Sequence, residues 1–125
     1  DAPSFPANRL TLITHYPASQ AALARLHPDG HTAARFELFW GDLELANGYH
    51  ELANPTEQRQ RFQQDLQRRQ AEGLPPTPLD QRFLAALDAG LPDCAGVALG
   101  LDRLLMKLLG VDAIEAVLAF PLDRA

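Results

Sequence analysis

The sequence of 125 residues predicts an α+β fold, an antiparallel sheet with flanking helices. Three features carry that reading. Two alternating runs, Arg35-Phe36-Glu37-Leu38-Phe39-Trp40 and Leu43-Glu44-Leu45-Ala46, flank Gly41-Asp42 as the arms of a hairpin. Asn54-Pro55-Thr56-Glu57 and Asp80 each supply a side-chain cap at the head of a helix. Near the C-terminal end, Gly96-Val97-Ala98-Leu99-Gly100-Leu101-Asp102-Arg103-Leu104-Leu105-Met106 passes from a short apolar strand straight into a helix.

Taken in order, Asp1 to Asn8 hold two prolines and no periodicity, and read as a lead-in. Leu10-Thr11-Leu12-Ile13-Thr14 reads as a strand that His15-Tyr16-Pro17 ends, since proline has no ladder donor. Ser19 is placed to cap a short helix through about Leu26, and His27-Pro28-Asp29-Gly30-His31 is a turn cluster. Glycine at the first central position of the hairpin suits a type II′ turn. Such a turn pairs Trp40 with Leu43, Phe39 with Glu44, Leu38 with Leu45 and Glu37 with Ala46. Phe36, Leu38, Trp40, Leu43 and Leu45 then form an apolar core face. Arg35, Glu37, Phe39, Glu44 and Ala46 share the other face, with Glu37 and Glu44 as diagonal neighbours about 7–8 Å apart. Asn47-Gly48 favours positive φ and should break the strand, freeing Asn47 and Glu51 to turn onto the Glu37/Glu44 face.

The helix opened by Asn54 runs to about Glu72 and stops at Gly73. Little on it is apolar besides Phe62 and Leu66, so it belongs on the surface. Its Arg59, Arg61, Arg68 and Arg69 are interleaved with acids and glutamines as a solvated face rather than an RNA patch. Asp80 caps a helix with Phe83, Leu84 and Leu87 inward and Gly90 past its end. Leu91 to Ala95 lead into the Gly96–Leu99 strand, read as buried. In the helix that follows, Leu101, Leu104, Leu105, Leu108 and Leu109 form one stripe, which reads as core, and Gly110 is its C-cap. Arg103 lies nearly opposite that stripe and points either to solvent or into a cleft; periodicity leaves both open. Asp112 caps a short turn before the apolar Val117-Leu118-Ala119-Phe120.

Composition sets bounds. With 46% apolar and 22% charged residues, the chain is globular and long enough for one domain with its own core. A net charge of −5 argues against a broad nucleic-acid surface. No apolar run reaches the length of a membrane span, no signal peptide is visible, and the single Cys94 has no internal partner. The expectation is a soluble, cytoplasmic protein with no membrane partner. The chain opens at Asp1 without an initiator methionine and is read as a fragment.

Chemistry concentrates in two places. The Gly100–Arg103 junction gathers free backbone N–H groups, the positive end of a helix dipole and a guanidinium fork, which together suit a polyphosphate. Glu37 and Glu44 repel unless something positive lies between them, and Mg²⁺ with phosphate oxygens fits two carboxylates. Asn47 and Glu51 remain to recognise a small polar substrate carrying an ammonium group. The alternative makes Glu37 and Glu44 exposed sheet residues paired with Arg35 or Lys107. His15, His27, His31 and His50 show no zinc spacing. No Walker loop, dinucleotide fingerprint or nucleophile elbow is present.

Two blocks then carry a resemblance that extends over essentially the whole chain: Arg35 to Phe39 through Glu44-Leu45-Ala46-Asn47-Gly48-Tyr49-His50-Glu51-Leu52, and GVALGLDRLLM. In order and separation they resemble the later half of a lysyl-tRNA synthetase-type class II catalytic domain, the second block being its motif 3. The wording of ELANGYHEL, LPDCAGVALGLDRLLM and Thr14-His15-Tyr16-Pro17-Ala18-Ser19-Gln20 is more similar to the elongation factor P–lysine ligase family. The resemblance implies that residues 1–125 form the C-terminal portion of a class II catalytic domain. It implies Mg²⁺ at Glu37 and Glu44, ATP at Glu44, Leu45, Gly100 and Arg103, and the lysine substrate at Asn47 and Glu51. Arg103 is the implied catalytic residue, bracing phosphate charge. The implied activity makes an adenylate of lysine or β-lysine with ATP and transfers the acyl group to a lysine of elongation factor P, in a homodimeric parent. Motifs 1 and 2 are not in this chain, so the stretch alone is not expected to catalyse. Ala46 and Ala98 stand where synthetases usually have glycines lining the amino-acid side of the cleft, which speaks against ordinary tRNA charging. A lysyl-tRNA synthetase and a non-catalytic binding module are the alternatives. Retention of Glu37, Glu44, Glu51 and Arg103 argues against the second.

Overall fold

A computed structural model describes residues 4–122, so part of the expected Asp1–Asn8 lead-in lies outside the described residues. Four antiparallel strands stand in sequence order: β1 (Leu10–Pro17), β2 (Thr32–Trp40), β3 (Leu43–His50) and β4 (Ala95–Leu99). Helices α1 (Pro55–Ala71) and α2 (Gln81–Asp88) sit between β3 and β4, and α3 (Leu101–Leu109) follows β4 at once. The fold is α+β, as the sequence predicts.

Local chemistry explains most element ends. The Asn54 side chain accepts from the N–H groups of Thr56 and Glu57 with Pro55 at the first position, and Asp80 does the same for Arg82 and Phe83. Gly110 closes α3 in the left-handed region at φ 67°. At the hairpin, Gly41 has φ 57° and Asp42 does not share the positive region, which suits a type II′ turn. Asp29 organises the turn before β2 by accepting from the N–H of His31 and Thr32 and from the Thr32 hydroxyl.

Several expectations are corrected. Strand β1 does not end at Thr14. His15 takes φ 59° as a bulge, pairing resumes at Tyr16–Ala33 and Pro17–Thr32, and the proline is tolerated because β1 is the sheet's edge. The helix expected from Ser19 to Leu26 is only the single turn Ala18–Gln20, without a side-chain cap. Beyond it the backbone bonds sideways: Arg25 N–H to His50 O, Leu52 N–H to Leu23 O and Ala34 N–H to Arg25 O. Isolated bridges join Ala24 to Glu51 and Leu26 to Ala33. This ribbon crosses the strand ends and buries Ala21, Ala24 and Ala33, and that packing overrides the helix propensity of its alanines. Arg61, expected on a solvated face, donates to the carbonyls of Ala22 and Ala24 and so ties α1 to the ribbon. Asp112 does not cap the last turn; Ala113 occupies that position, with no side-chain bond.

The hairpin register departs after its first two pairs. Trp40–Leu43 and Phe39–Glu44 form as expected, but Leu38 then pairs with Ala46, Glu37 with Asn47, Phe36 with Gly48 and Arg35 with Tyr49. Leu45 is the extra residue of a bulge. Asn47-Gly48 does not break the strand: Gly48 lies within the ladder, paired on both sides. A Cβ there would fall 2.3 Å from the Phe36 ring and 2.9 Å from the Gly96 carbonyl, so glycine is required by close packing and not by a turn. Strand β4 and the leucine stripe of α3, read as core, are exposed: Val97 is 63% accessible, Leu101 71% and Leu108 64%, and only Met106 of α3 is buried.

Candidate active site

Two bulges assemble the site. Without the His15 bulge, strand alternation would set Tyr16 with Leu12 and Thr14; the bulge turns it onto the face of Ile13 and Glu37. Without the Leu45 bulge, Asn47 would share neither face nor register with Glu44. With it, Glu44, Asn47, Tyr49 and Glu51 face the same way as Arg35, Glu37 and Phe39. Strand β4 completes this face with Gly96 opposite Tyr49 and Ala98 opposite Asn47. The sequence placed Asn47 and Glu51 on the correct face through a break that the structure puts two residues earlier. Ala46, expected on the cleft side, pairs with Leu38 and points to the opposite face.

The bulge is held open from β4–α3. Gly100 N–H donates to Leu45 O (2.9 Å), and Arg103 Nη1 donates to Glu44 O (2.9 Å), so residues far apart in sequence meet at one corner. Because the Gly100 N–H is engaged, the free backbone donors of the junction are those of Leu101, Asp102 and Arg103. Glycine at position 100 has a second use: a Cβ would lie 3.2 Å from Arg103 Cδ, so its absence lets the arginine stem fold back to Glu44. The rest of the Arg103 fork stays available to an anion.

Glu37 is half-buried and doubly held. Tyr16 donates its hydroxyl to Oε2 at 2.6 Å, and Arg35 forms an ion pair with Oε1. Arg35 also donates to Gln20 O at 2.7 Å and to Asn47 Oδ1 at 3.4 Å, with its guanidinium 4.4 Å from the Tyr16 ring centroid. Burial first, then the hydrogen bond and charge of Glu37, hold the Tyr16 hydroxyl far above its ordinary pKa; Glu44 adds to the effect, which puts both carboxylates near this phenol. A hollow of about 500 Å³ opens between Tyr16, Glu37 and Phe39. Hollows of similar size beside Arg61 and Gln64, and beside Leu52 and Asn54, contain none of the candidate residues.

By contrast, the carboxylates of Glu44 and Glu51 have no hydrogen-bond or ion-pair partner among the described residues. The Glu51 backbone is nonetheless pinned, its N–H donating to Cys94 O (3.0 Å) and its carbonyl accepting from Arg25 Nε (2.7 Å). Asp93 braces that arrangement with Arg25 (2.9 Å) and His50 (2.6 Å), and the His50 bond followed by the Arg25 charge lowers the Asp93 pKa. Tyr16, Arg25, Asp93 and Gly96 were given no site role from the sequence. Tyr16, Asp93 and Gly96 lie in blocks quoted for the resemblance, and Arg25 lies in none.

Among the described residues, no group of three or more His, Cys, Asp or Glu side chains could hold a metal ion. Glu37 and Glu44 offer hard oxygen donors without imidazole or thiolate, and Glu37 keeps lone pairs beyond those taken by Tyr16 and Arg35. That donor set suits Mg²⁺ completed by phosphate oxygens. On one face, therefore, lie acidic groups able to hold a metal or an ammonium, bordered at Arg103 by a cation able to hold a phosphate. No helix among the described residues is long and apolar enough to cross a membrane.

Comparison with known proteins gives a consistent result. The family described as tRNA synthetases class II (D, K and N) matches residues 5–124. An elongation factor P–(R)-beta-lysine ligase of Klebsiella pneumoniae strain 342 is 53% identical over 124 residues, which is 98% of this chain and 38% of that protein. The protein of that name from Salmonella dublin is 52% identical, with the same coverage of each chain. The chain thus spans about 38% of the length of the curated relatives it matches.

Proposed function

The chain belongs to the class II tRNA synthetases of the D, K and N type, and we propose that in its full-length polypeptide it activates lysine or β-lysine with ATP and transfers it to elongation factor P. A substrate carboxylate oxygen attacks the α-phosphorus of ATP, the α–β bridging bond breaks, and pyrophosphate leaves. The amine of an elongation factor P lysine then attacks the acyl carbon, adenosine monophosphate leaves and the amine releases a proton. Residues 1–125 are the C-terminal portion of the catalytic domain in this reading, within a cytoplasmic, homodimeric parent.

The observation that carries the reading is that Glu44 and Glu51 share one face with carboxylates that have no hydrogen-bond or ion-pair partner among the described residues, while Arg103 binds the Glu44 carbonyl. Glu51 with Asn47 receives the substrate's amino end. Glu44, Leu45, Gly100 and Arg103 surround the nucleotide, with Arg103 placed to neutralise charge that grows on the phosphates. Glu37 and Glu44 would hold Mg²⁺, which when bound supplies charge neutralisation between phosphate oxygens. Tyr16 and Arg35 keep the Glu37 carboxylate oriented for that task. Catalysis is positioning and electrostatics throughout.

The test takes the full-length protein with ATP, Mg²⁺ and lysine or β-lysine, offers it elongation factor P, and reads the acceptor's intact mass. The expected gain is one lysyl group, lost on Arg103→Ala. An unmodified acceptor alongside aminoacylated tRNA overturns the reading in favour of a tRNA synthetase. Modification of neither acceptor makes the fold a binding module.

A further inference from the structure

We infer that Gly96 is a specificity-determining residue, setting how far the Glu51 carboxylate stands off the sheet and so the length of amine that the site accepts. The inference rests on the assignment of Glu51 to the substrate's amino end. Gly96 faces the same side of the sheet as Asn47 and Tyr49. A Cβ at position 96 would lie 2.4 Å from Glu51 Oε1 and 3.5 Å from its carboxyl carbon, with no other atom near. The missing methyl is thus the space in which the carboxylate lies. Backbone adjustment cannot make room, because the Glu51 N–H is bound to Cys94 O, its carbonyl to Arg25, and Ala24 bridges it from the other side.

A methyl at position 96 therefore acts on the carboxylate alone. Restoring ordinary contact from 2.4 Å moves the oxygen by roughly 1 Å. Because Cβ projects outward from the sheet, the displacement is toward the substrate's space. It is comparable to the step one methylene adds along an extended chain. The displaced atoms are the far end of a flexible side chain, so the substitution alters the site with little strain on the fold.

The experiment measures ATP–pyrophosphate exchange by the full-length protein with lysine, ornithine and homolysine, which differ by single methylenes. Gly96→Ala is expected to raise KM for lysine about tenfold or more and to shift preference toward ornithine, with kcat much less affected. On a Glu51→Asp background, whose shorter acid clears the methyl, the same substitution is expected to change KM less than about twofold. An unchanged lysine KM in Gly96→Ala overturns the inference, as does an equal loss on both backgrounds. If Gly96→Ala does not fold, Glu51→Asp alone carries the test: a withdrawn carboxylate should shift preference toward homolysine, and equal losses for all three amines refute it. Failure of the unmodified protein to exchange with any of these amines or with β-lysine removes the lysine assignment itself, and this inference with it.

Discussion

Arg35 gives the sharpest energetic prediction. Its ion pair with Glu37 leaves side-chain exposures of 15% and 14%, so neither charge is well hydrated. Replacing Arg35 by Met keeps an aliphatic stem against Tyr16 but leaves the Glu37 carboxylate half-buried with only the Tyr16 hydroxyl as partner. Removing one member of a buried pair costs about 3–5 kcal/mol. The remaining exposure and the retained Tyr16 bond favour about 3, and loss of the bond to Gln20 O adds about 1 kcal/mol. Glu37→Gln removes the charge opposite a guanidinium that keeps its bond to Gln20 O, and should cost about 2 kcal/mol. In the double variant neither charge remains, so the two losses should fall short of additivity by at least about 1.5 kcal/mol. Urea unfolding of the four full-length proteins, at constant m-value, gives the cycle. Losses that add within about 0.5 kcal/mol would show that the two side chains act independently, and the account of the Glu37 clamp would fail.

Other expectations follow from single observations. Gly48→Ala should destabilise by about 2 kcal/mol through overpacking against Phe36, whereas Gly30→Ala, with open space but φ 69°, should lose only about 1; chemical unfolding separates them. The Asp29 carboxyl is held at about 2 by the N–H groups of Thr32 and His31, below its ordinary 3.8. Its folded pKa is depressed, so its stabilisation is present above about 3.8 and fades as pH falls toward 2; the stability advantage over Asp29→Ala should be clear at pH 6 and shrink at pH 2, and a gap that widens in acid would contradict this. Arg103→Lys, whose ammonium can donate to Glu44 O but cannot span to a phosphate as the fork does, should lower kcat for pyrophosphate exchange about tenfold to a hundredfold while thermal unfolding changes little.

What could be read from sequence was what neighbouring residues decide among themselves. Asn54, Asp80, Gly41 and Gly110 each carry their instruction within a turn of chain, and each acts as read. The bulges are different. His15 adopts positive φ without being glycine, and Leu45 is extruded because Gly100 and Arg103, distant in sequence, bind the carbonyls there. Residues 21–26 looked helical because alanine and leucine are good helix formers, yet their backbone groups are taken by β2, β3 and Arg61. The leucines of α3 kept the period of a buried helix while remaining accessible in this stretch. The residues of the candidate site were visible as types and spacings; their sharing of a face depended on contacts that no local pattern encodes.

The Leu45 bulge also bears on how this site can change through mutation. A substitution at Glu44 or Asn47 alters one group, but a change that straightened the bulge and drew Leu45 into the ladder would restore unbroken alternation from Glu44 and turn Asn47, Tyr49 and Glu51 together to the leucine-lined side. The register works as a reading frame for orientation. Drift can therefore exchange side chains along this strand one by one, while the pairing of Asn47 with Glu37 beyond the bulge has to be kept.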